Sequence, residues 1–300
     1  MIRPVVRLLM ISAIAILWGG MTLFVLRYLG LQQEFTAFDH PLLKQQSLVI
    51  AAGGSGAKHA PYTLAAFQDA YSVSAKVWLE ARLWLTADNH WVIHPDARTD
   101  ENQPLRQMKL HDLRPGVPGN SPLYSDTGAY PTPEELFLLL PQAVFVLDVQ
   151  DFSPVALDQL MALIDQHGLE DRVVITSPRP QPIAYIKDKK PRWLYTSDPT
   201  NTMKARVFSA LNMTSVMSLR PDLVISPLKV TAVGAVTEDM AKELHRRQIK
   251  LVLLASSWPE FLSSPLAQYA SGILTDRPTK DLLAQVQKHT EQLGQADTVK

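Results

Sequence analysis

The chain has no cysteine among its 300 residues, so disulfides and thiolate metal sites are both excluded. That absence leaves the redox compartment open, because a cysteine-free chain suits either side of a membrane. Charge of one sign is also missing: 29 basic residues face 29 acidic ones. A nucleic-acid binder would show a basic excess, so nucleic acid is not expected as a partner. A third absence is local. The stretch VIAAGGSG, Val49 to Gly56, reads as a short strand entering a glycine-rich bend that could approach a small anion. Nothing in it can transfer a proton or hold a charge.

What is abundant is apolar sequence, at 46% of the chain, enough for a large core. The run from Leu8 to Leu26 carries no charge and matches the ~20 residues needed to cross a bilayer as a helix. Arg3 and Arg7 precede it and only Arg27 closely follows, which favours a cytoplasmic N-terminus with the rest of the chain on the extracytoplasmic side. A cleaved signal peptide fits less well, since the run exceeds a usual apolar segment of that kind and no small-x-small site follows. The expected organisation is an anchor over 1–30, a polar link over 31–46 and a single folded unit over 47–300.

Within that unit, short apolar strands alternate with amphipathic helices. Strands are expected at 47–53, 76–84, 90–94, 144–149, 172–177, 192–197, 222–226, 250–255 and 272–275. Thr132, Pro133 and Glu135 in TPEE form a capping box ahead of Leu136 to Leu140. Ser153 and Pro154 open a second helix, with Leu157, Leu160, Met161 and Ile164 on one face and Gly168 at its end. Thr237 opens a third, closed by Arg246 and Arg247. Alternation of this kind predicts an α/β fold, a TIM-type (β/α)8 barrel behind one N-terminal transmembrane helix. Nine strand candidates exceed eight, so one must lie outside the barrel or be no strand.

Side chains alternate along a strand, and this sorts the candidate site. In VWLEARLW, Val77, Leu79, Ala81 and Leu83 suit the helix-facing side, which sends Glu80 and Arg82 inward. In VFVLDVQ, Phe145, Leu147 and Val149 face outward and Asp148 and Gln150 inward, near the strand end where barrel enzymes place their chemistry. His94 ends the strand in HWVIHPD. Spacing therefore predicts that Glu80, Arg82, His94 and Asp148 meet at the barrel mouth.

The order of motifs resembles the glycerophosphodiester phosphodiesterase family, a barrel of the phospholipase C-like phosphodiesterase type, from Ser47 to Pro278. VIAAGGSG is similar to the family's I-A-H-R-G strand and APYTLAAF to A-P-E-N-T-L-A-A-F. LEARLWLTADNHWVIHPD resembles E-L-D-V-R-L-T-x-D-G with its valine-rich strand and H-D, and YPTPEELF resembles I-P-T-L-E-E-V-L. VFVLDVQ matches the E-L-K strand and GILTDRP the closing G-I-I-T-D-R-P. The resemblance implies hydrolysis of glycerophosphodiesters by two histidines, with a divalent cation (magnesium or calcium) on carboxylates and an arginine and a lysine near the phosphate.

Most of those positions are substituted here. The first histidine falls on Ala52 and its neighbouring arginine on Gly53. The metal-binding pair falls on Glu80 and Arg82, so one ligand has become a cation. The P-E-N-T glutamate falls on Pro61 or Tyr62, the E-L-K glutamate on Asp148 and its lysine on Gln150. The second histidine corresponds to His94 with a one-residue shift. His59, in the loop after the first strand, could replace the lost histidine or be a solvated loop residue; Lys58 could draw a phosphodiester or an anionic headgroup. Losing one positioned acid or base costs about 10² to 10⁴ in rate. The expectation is a degenerate barrel, with no cofactor, that binds or scaffolds. The alternative is a diverged phosphoric diester hydrolase acting on glycerophosphodiesters or related lipid headgroups, using His94 with His59 and a divalent cation.

Overall fold

The computed structural model describes residues 2–36, 38–54, 58–99, 101–114, 130–217, 221–229 and 235–298. Ser55 and Gly56 of the glycine-rich corner lie outside the described residues. Helix α1 (Ile2–Gln32) comes first, followed by a 3-10 turn at Pro41–Lys44. Then come β1 (Leu48–Ala52), α2 (Leu64–Val73), β2 (Val77–Leu85), β3 (Trp91–Ile93), α3 (Leu110–Leu113), α4 (Pro133–Leu139) and β4 (Val144–Val149). The next units are α5 (Pro154–Gln166), β5 (Val173–Thr176), α6 (Pro180–Lys189), β6 (Leu194–Tyr195) and α7 (Pro199–Ala210). The chain ends with β7 (Leu223–Pro227), α8 (Glu238–Arg246), β8 (Lys250–Leu254), α9 (Trp258–Ser263), β9 (Gly272–Thr275) and α10 (Lys280–Thr298).

Eight strands are parallel and run in the order β6-β5-β4-β2-β1-β9-β8-β7. The two ends of that order meet in a parallel bridge between Thr196 and Leu223, where the Asp222 and Ser197 amides donate to the Tyr195 and Leu223 carbonyls. The sheet is thereby a nearly closed barrel of the TIM type. The surplus ninth strand is β3, which pairs antiparallel with the far end of β2 and lies off the barrel. Its residues were close enough to a barrel strand in pattern that only the pairing separates them.

Helix starts follow the chemistry of the chain. Thr132 accepts from the Glu135 amide while the Glu135 carboxylate accepts from the Thr132 amide, a reciprocal cap, and Ser153 and Thr237 cap α5 and α8. Strand faces follow the two-residue period. Val77, Leu79, Ala81 and Leu83 pack outward against α2 and α4, whereas Trp78 joins Leu48, Ile50, Val146, Val174 and Val252 inside the barrel. Part of the stretch read as a polar link closes the bottom of that interior. Leu42, in the 3-10 turn, is buried with these residues, and Gln45 accepts from the Trp78 indole at 3.2 Å. The lower barrel is filled by apolar side chains, and the inward carboxylates and the arginine lie toward the strands' C-terminal ends.

Within α1, Met10–Gln32 has a mean hydropathy of 1.8, and its apolar window holds no buried residue. It is long and apolar enough to span a membrane.

Candidate functional site

The site begins where β1 ends. Gly53 and Gly54 turn the backbone with φ of +61° and +86°, a region that favours glycine. A Cβ on Gly54 would come within 2.5 Å of the Ala66 backbone in α2, and one on Gly53 within 2.6 Å of the Tyr62 ring. Tyr62 itself has φ of 65°, and its amide donates to the Gly53 carbonyl at 2.7 Å. The corner is thus shaped to receive the tyrosine ring.

Glu80 and Arg82 of β2 point inward, as does Asp148 of β4. Register explains their meeting: Ala52 pairs with Glu80, and Arg82 with Asp148, across adjacent parallel strands. Arg82 Nε donates to Asp148 Oδ2 at 3.3 Å and lies 4.0 Å from Glu80 Oε1, and its Nη1 donates to the Pro95 carbonyl at 2.7 Å. The guanidinium also lies 5.5 Å from the Tyr62 ring centre. Glu80 Oε2 accepts from the Tyr62 hydroxyl and from the Gly53 amide, each at 3.0 Å. One cation and three hydrogen-bond donors, its own Nε–H among them, therefore serve two carboxylates.

Burial dominates the electrostatics. It pushes the Glu80 carboxyl up to about 7, with Asp148 adding to the rise and Arg82, Tyr62 and the Gly53 amide opposing it. Asp148 is raised as well, again by burial, against the pull of Arg82. The Tyr62 hydroxyl is driven far above its ordinary range by burial and by Glu80, so it stays protonated and donates. For Arg82, burial is outweighed by Tyr62, Glu80 and Asp148, which together hold the charge on.

Glu80, Arg82 and Asp148 line a cavity of about 290 Å³ at the barrel mouth. Ala52 and Gln150 line it too, and beside Asp148 the lining continues with the hydroxyl-bearing residues Thr176, Ser177, Ser197 and Thr202. Among the described lining residues, Arg82 is the one cation and no imidazole is present. His94 does not join the group: its ring bonds to the Asp96 backbone at 2.8 Å and stacks on Tyr130 at 4.9 Å. His59 lies in the exposed loop before α2, 3.6 Å from Asp69, and Lys58 beside it is exposed. Trp78 is buried in the barrel interior and Trp84 donates to the His94 carbonyl, so neither lines the cavity.

The donor set does not suit a divalent cation. The space between the carboxylates already holds a guanidinium, and no group of three His, Asp or Glu side chains able to hold a metal occurs among the described residues. Two features escaped sequence reasoning. Tyr62 was visible only as one of two positions aligned with a missing glutamate; its positive φ and its reach to Glu80 have no local signature. The hydroxyl-bearing residues are scattered over the end of β5 (Thr176), the loops after β5 and β6 (Ser177, Ser197) and the first turn of α7 (Thr202), with no local pattern to join them.

No family model matches the chain, and no curated protein sequence does. Solved structures do. A glycerophosphodiester phosphodiesterase from Parabacteroides distasonis is similar at a TM-score of 0.60 and 15% identity, covering 83% of this chain and 98% of its own. A phosphodiesterase from Oleispira antarctica, solved with its product sn-glycerol-3-phosphate, gives 0.62 and 15%, with 83% and 99% covered. The enzyme from Thermotoga maritima gives 0.57 and 16%, with 81% and 98% covered. The barrel expected from the motif order is therefore the fold these phosphodiesterases share.

Proposed function

We propose that this chain is a membrane-anchored, glycerophosphodiester phosphodiesterase-like barrel that has given up metal-dependent hydrolysis and binds a small hydroxylated phosphate compound at its mouth. The observation that carries this reading is Arg82, lodged 3.3 Å from Asp148 and 4.0 Å from Glu80. Its guanidinium neutralises the carboxylates that would otherwise call for a metal. Two unit charges about 4 Å apart interact by about 4 kcal/mol at an effective dielectric near 20, and a divalent ion doubles that repulsion. A cation entering beside Arg82 would have to overcome it.

The ligand class follows from the lining. Four hydroxyls and the Gln150 amide suit a polyol, while Arg82, the one described cation of the wall, suits a single phosphate. The Oleispira enzyme's bound sn-glycerol-3-phosphate has this chemistry and is the natural first probe. No described imidazole reaches the cavity, which weakens the diverged-hydrolase reading. Glu80 titrates near neutrality, but its Oε2 is committed to Tyr62 and Gly53.

The test measures sn-glycerol-3-phosphate binding by calorimetry and hydrolysis of several glycerophosphodiesters, with magnesium, calcium or chelator. His94→Ala and Glu80→Gln proteins control for contaminating enzyme. Binding that Arg82→Met abolishes, without turnover under any ion, is the expected result. Metal-dependent turnover lost in either control would overturn the proposal and make the chain a hydrolase.

A further inference from the structure

The apolar helix α1 does not end in a free link. Its last turns are gripped by the end of the barrel opposite the mouth. Ser215, in the turn Thr214–Val216, donates to the Arg27 carbonyl at 3.3 Å, and a Cβ on Gly30 would come within 2.6 Å of the Ser215 carbonyl oxygen. Arg246 donates to the carbonyls of Gly30 at 3.1 Å, Leu31 at 3.3 Å and Gln33 at 2.9 Å, which serves groups that a helix C-terminus leaves unbonded. Arg246 and Arg247 stand over the Phe35 ring at 5.1 and 4.5 Å, and Glu243 holds both guanidinium groups. The turn Thr214–Val216 precedes β7 and the end of α8 precedes β8, so this grip lies where the strands begin.

That placement fixes a level. If the uncharged run Leu8–Leu26 fills the ~30 Å hydrocarbon layer, Arg27 and Gly30 lie within about one helical turn of its edge. The barrel end they touch lies at the same height. α7 runs from the mouth, where Thr202 lines the cavity, down to that end, and its closing turn leaves Val207, Phe208 and Leu211 56%, 37% and 68% exposed there, with Met203 on the same stripe one turn nearer the mouth. A helix facing water would carry polar residues on that face. α7 contains Lys204 and Arg206 and no acidic residue, and Leu211 lies only three residues before the turn that α1 grips.

We infer that the lower end of this stripe, Val207, Phe208 and Leu211, is seated in the headgroup region of the bilayer that α1 spans. The barrel then stands on the membrane with its mouth turned away, and the site draws its ligand from the aqueous phase instead of from headgroups of its own bilayer. The inference rests on reading α1 as a membrane span.

The absence of cysteine makes a direct test simple. Single Trp18→Cys, Leu211→Cys and Ser256→Cys variants of the full chain are labelled with one fluorophore and reconstituted in phosphatidylcholine–phosphatidylglycerol vesicles. Ser256 follows the mouth end of β8. Circular dichroism matching the parent confirms each fold. Lipid-borne nitroxide should quench the Leu211 label several-fold more than the Ser256 label, and aqueous iodide the reverse. A Leu211 label that behaves like Ser256 while Trp18 stays lipid-quenched overturns the docking and leaves the anchor. A Leu211 label shielded from both quenchers also overturns it, by showing protein in place of lipid. A Trp18 label open to iodide removes the anchor and the inference together.

Discussion

Replacing Glu80 with glutamine should make the protein less sensitive to rising pH, by an amount the site's geometry sets. Glu80 is 5% exposed, so solvent screening removes little of its electrostatic cost. Its carboxyl moves from an ordinary 4.5 to about 7, first through burial and then through Asp148. The unfolded chain releases this proton near 4.5, while the folded chain keeps it until about 7. Between those values the folded state binds more protons, so stability falls as pH rises. The full effect is present below the lower value and lost above the upper one. At about 1.4 kcal/mol per unit, the loss approaches ~3 kcal/mol across the interval. Glutamine cannot titrate, yet its amide oxygen can still accept from Tyr62 and Gly53. Denaturant unfolding of both full-length proteins in detergent, from pH 4.5 to 8, isolates the effect because other groups cancel in the difference. The variant should gain on the parent as pH rises. A flat difference, or one that increasingly favours the parent, would refute the burial argument for Glu80.

Tyr62→Phe removes one donor from a buried carboxylate; it should cost ~1–3 kcal/mol at pH 8 and less at pH 5, where Glu80 is protonated, as equilibrium unfolding at the two values would read. Gly53→Ala places a methyl against the Tyr62 ring at positive φ and should cost ~1–3 kcal/mol, part of which a Tyr62→Ala background relieves; a double-mutant cycle measures that coupling. Arg82→Asp sets three carboxylates facing one another. Calcium should then raise the thermal midpoint of that variant and leave the parent's unchanged; an equal rise in both would show that Arg82 does not keep the cation out.

Much of the fold was legible because two-residue alternation survives in every barrel strand. Glu80, Arg82 and Asp148 were placed inward by that period alone, and their inward positions follow from the register of β1, β2 and β4. Closure as a barrel followed from the alternation of strands and helices, but the place of the seam was not legible, since it depends on one bridge between a two-residue strand and a distant one. His94 shows another limit. Strand pattern placed it at the right strand end, but Pro95 and Asp96 turn the chain there and the ring bonds back to the loop. The grip on α1 was invisible too: Arg246 and Arg247 read as ordinary cations at a helix end, and the carbonyls that Arg246 meets, at Gly30, Leu31 and Gln33, lie more than 200 residues earlier in the chain.

The substitutions at the corner make sense only together. Glycine at 53 clears the space that the Tyr62 ring fills, and that ring brings a hydroxyl to Glu80. Arg82 then supplies positive charge to Glu80 and Asp148 from within the chain, held over the same ring and tied to Pro95. Reverting one position alone would leave a clash, an unpaired buried carboxylate or two cations in one place, each costing of order 1–5 kcal/mol. Building a divalent-cation site at this corner would therefore need several coordinated changes, because Gly53, Tyr62, Glu80 and Arg82 are packed and bonded to one another.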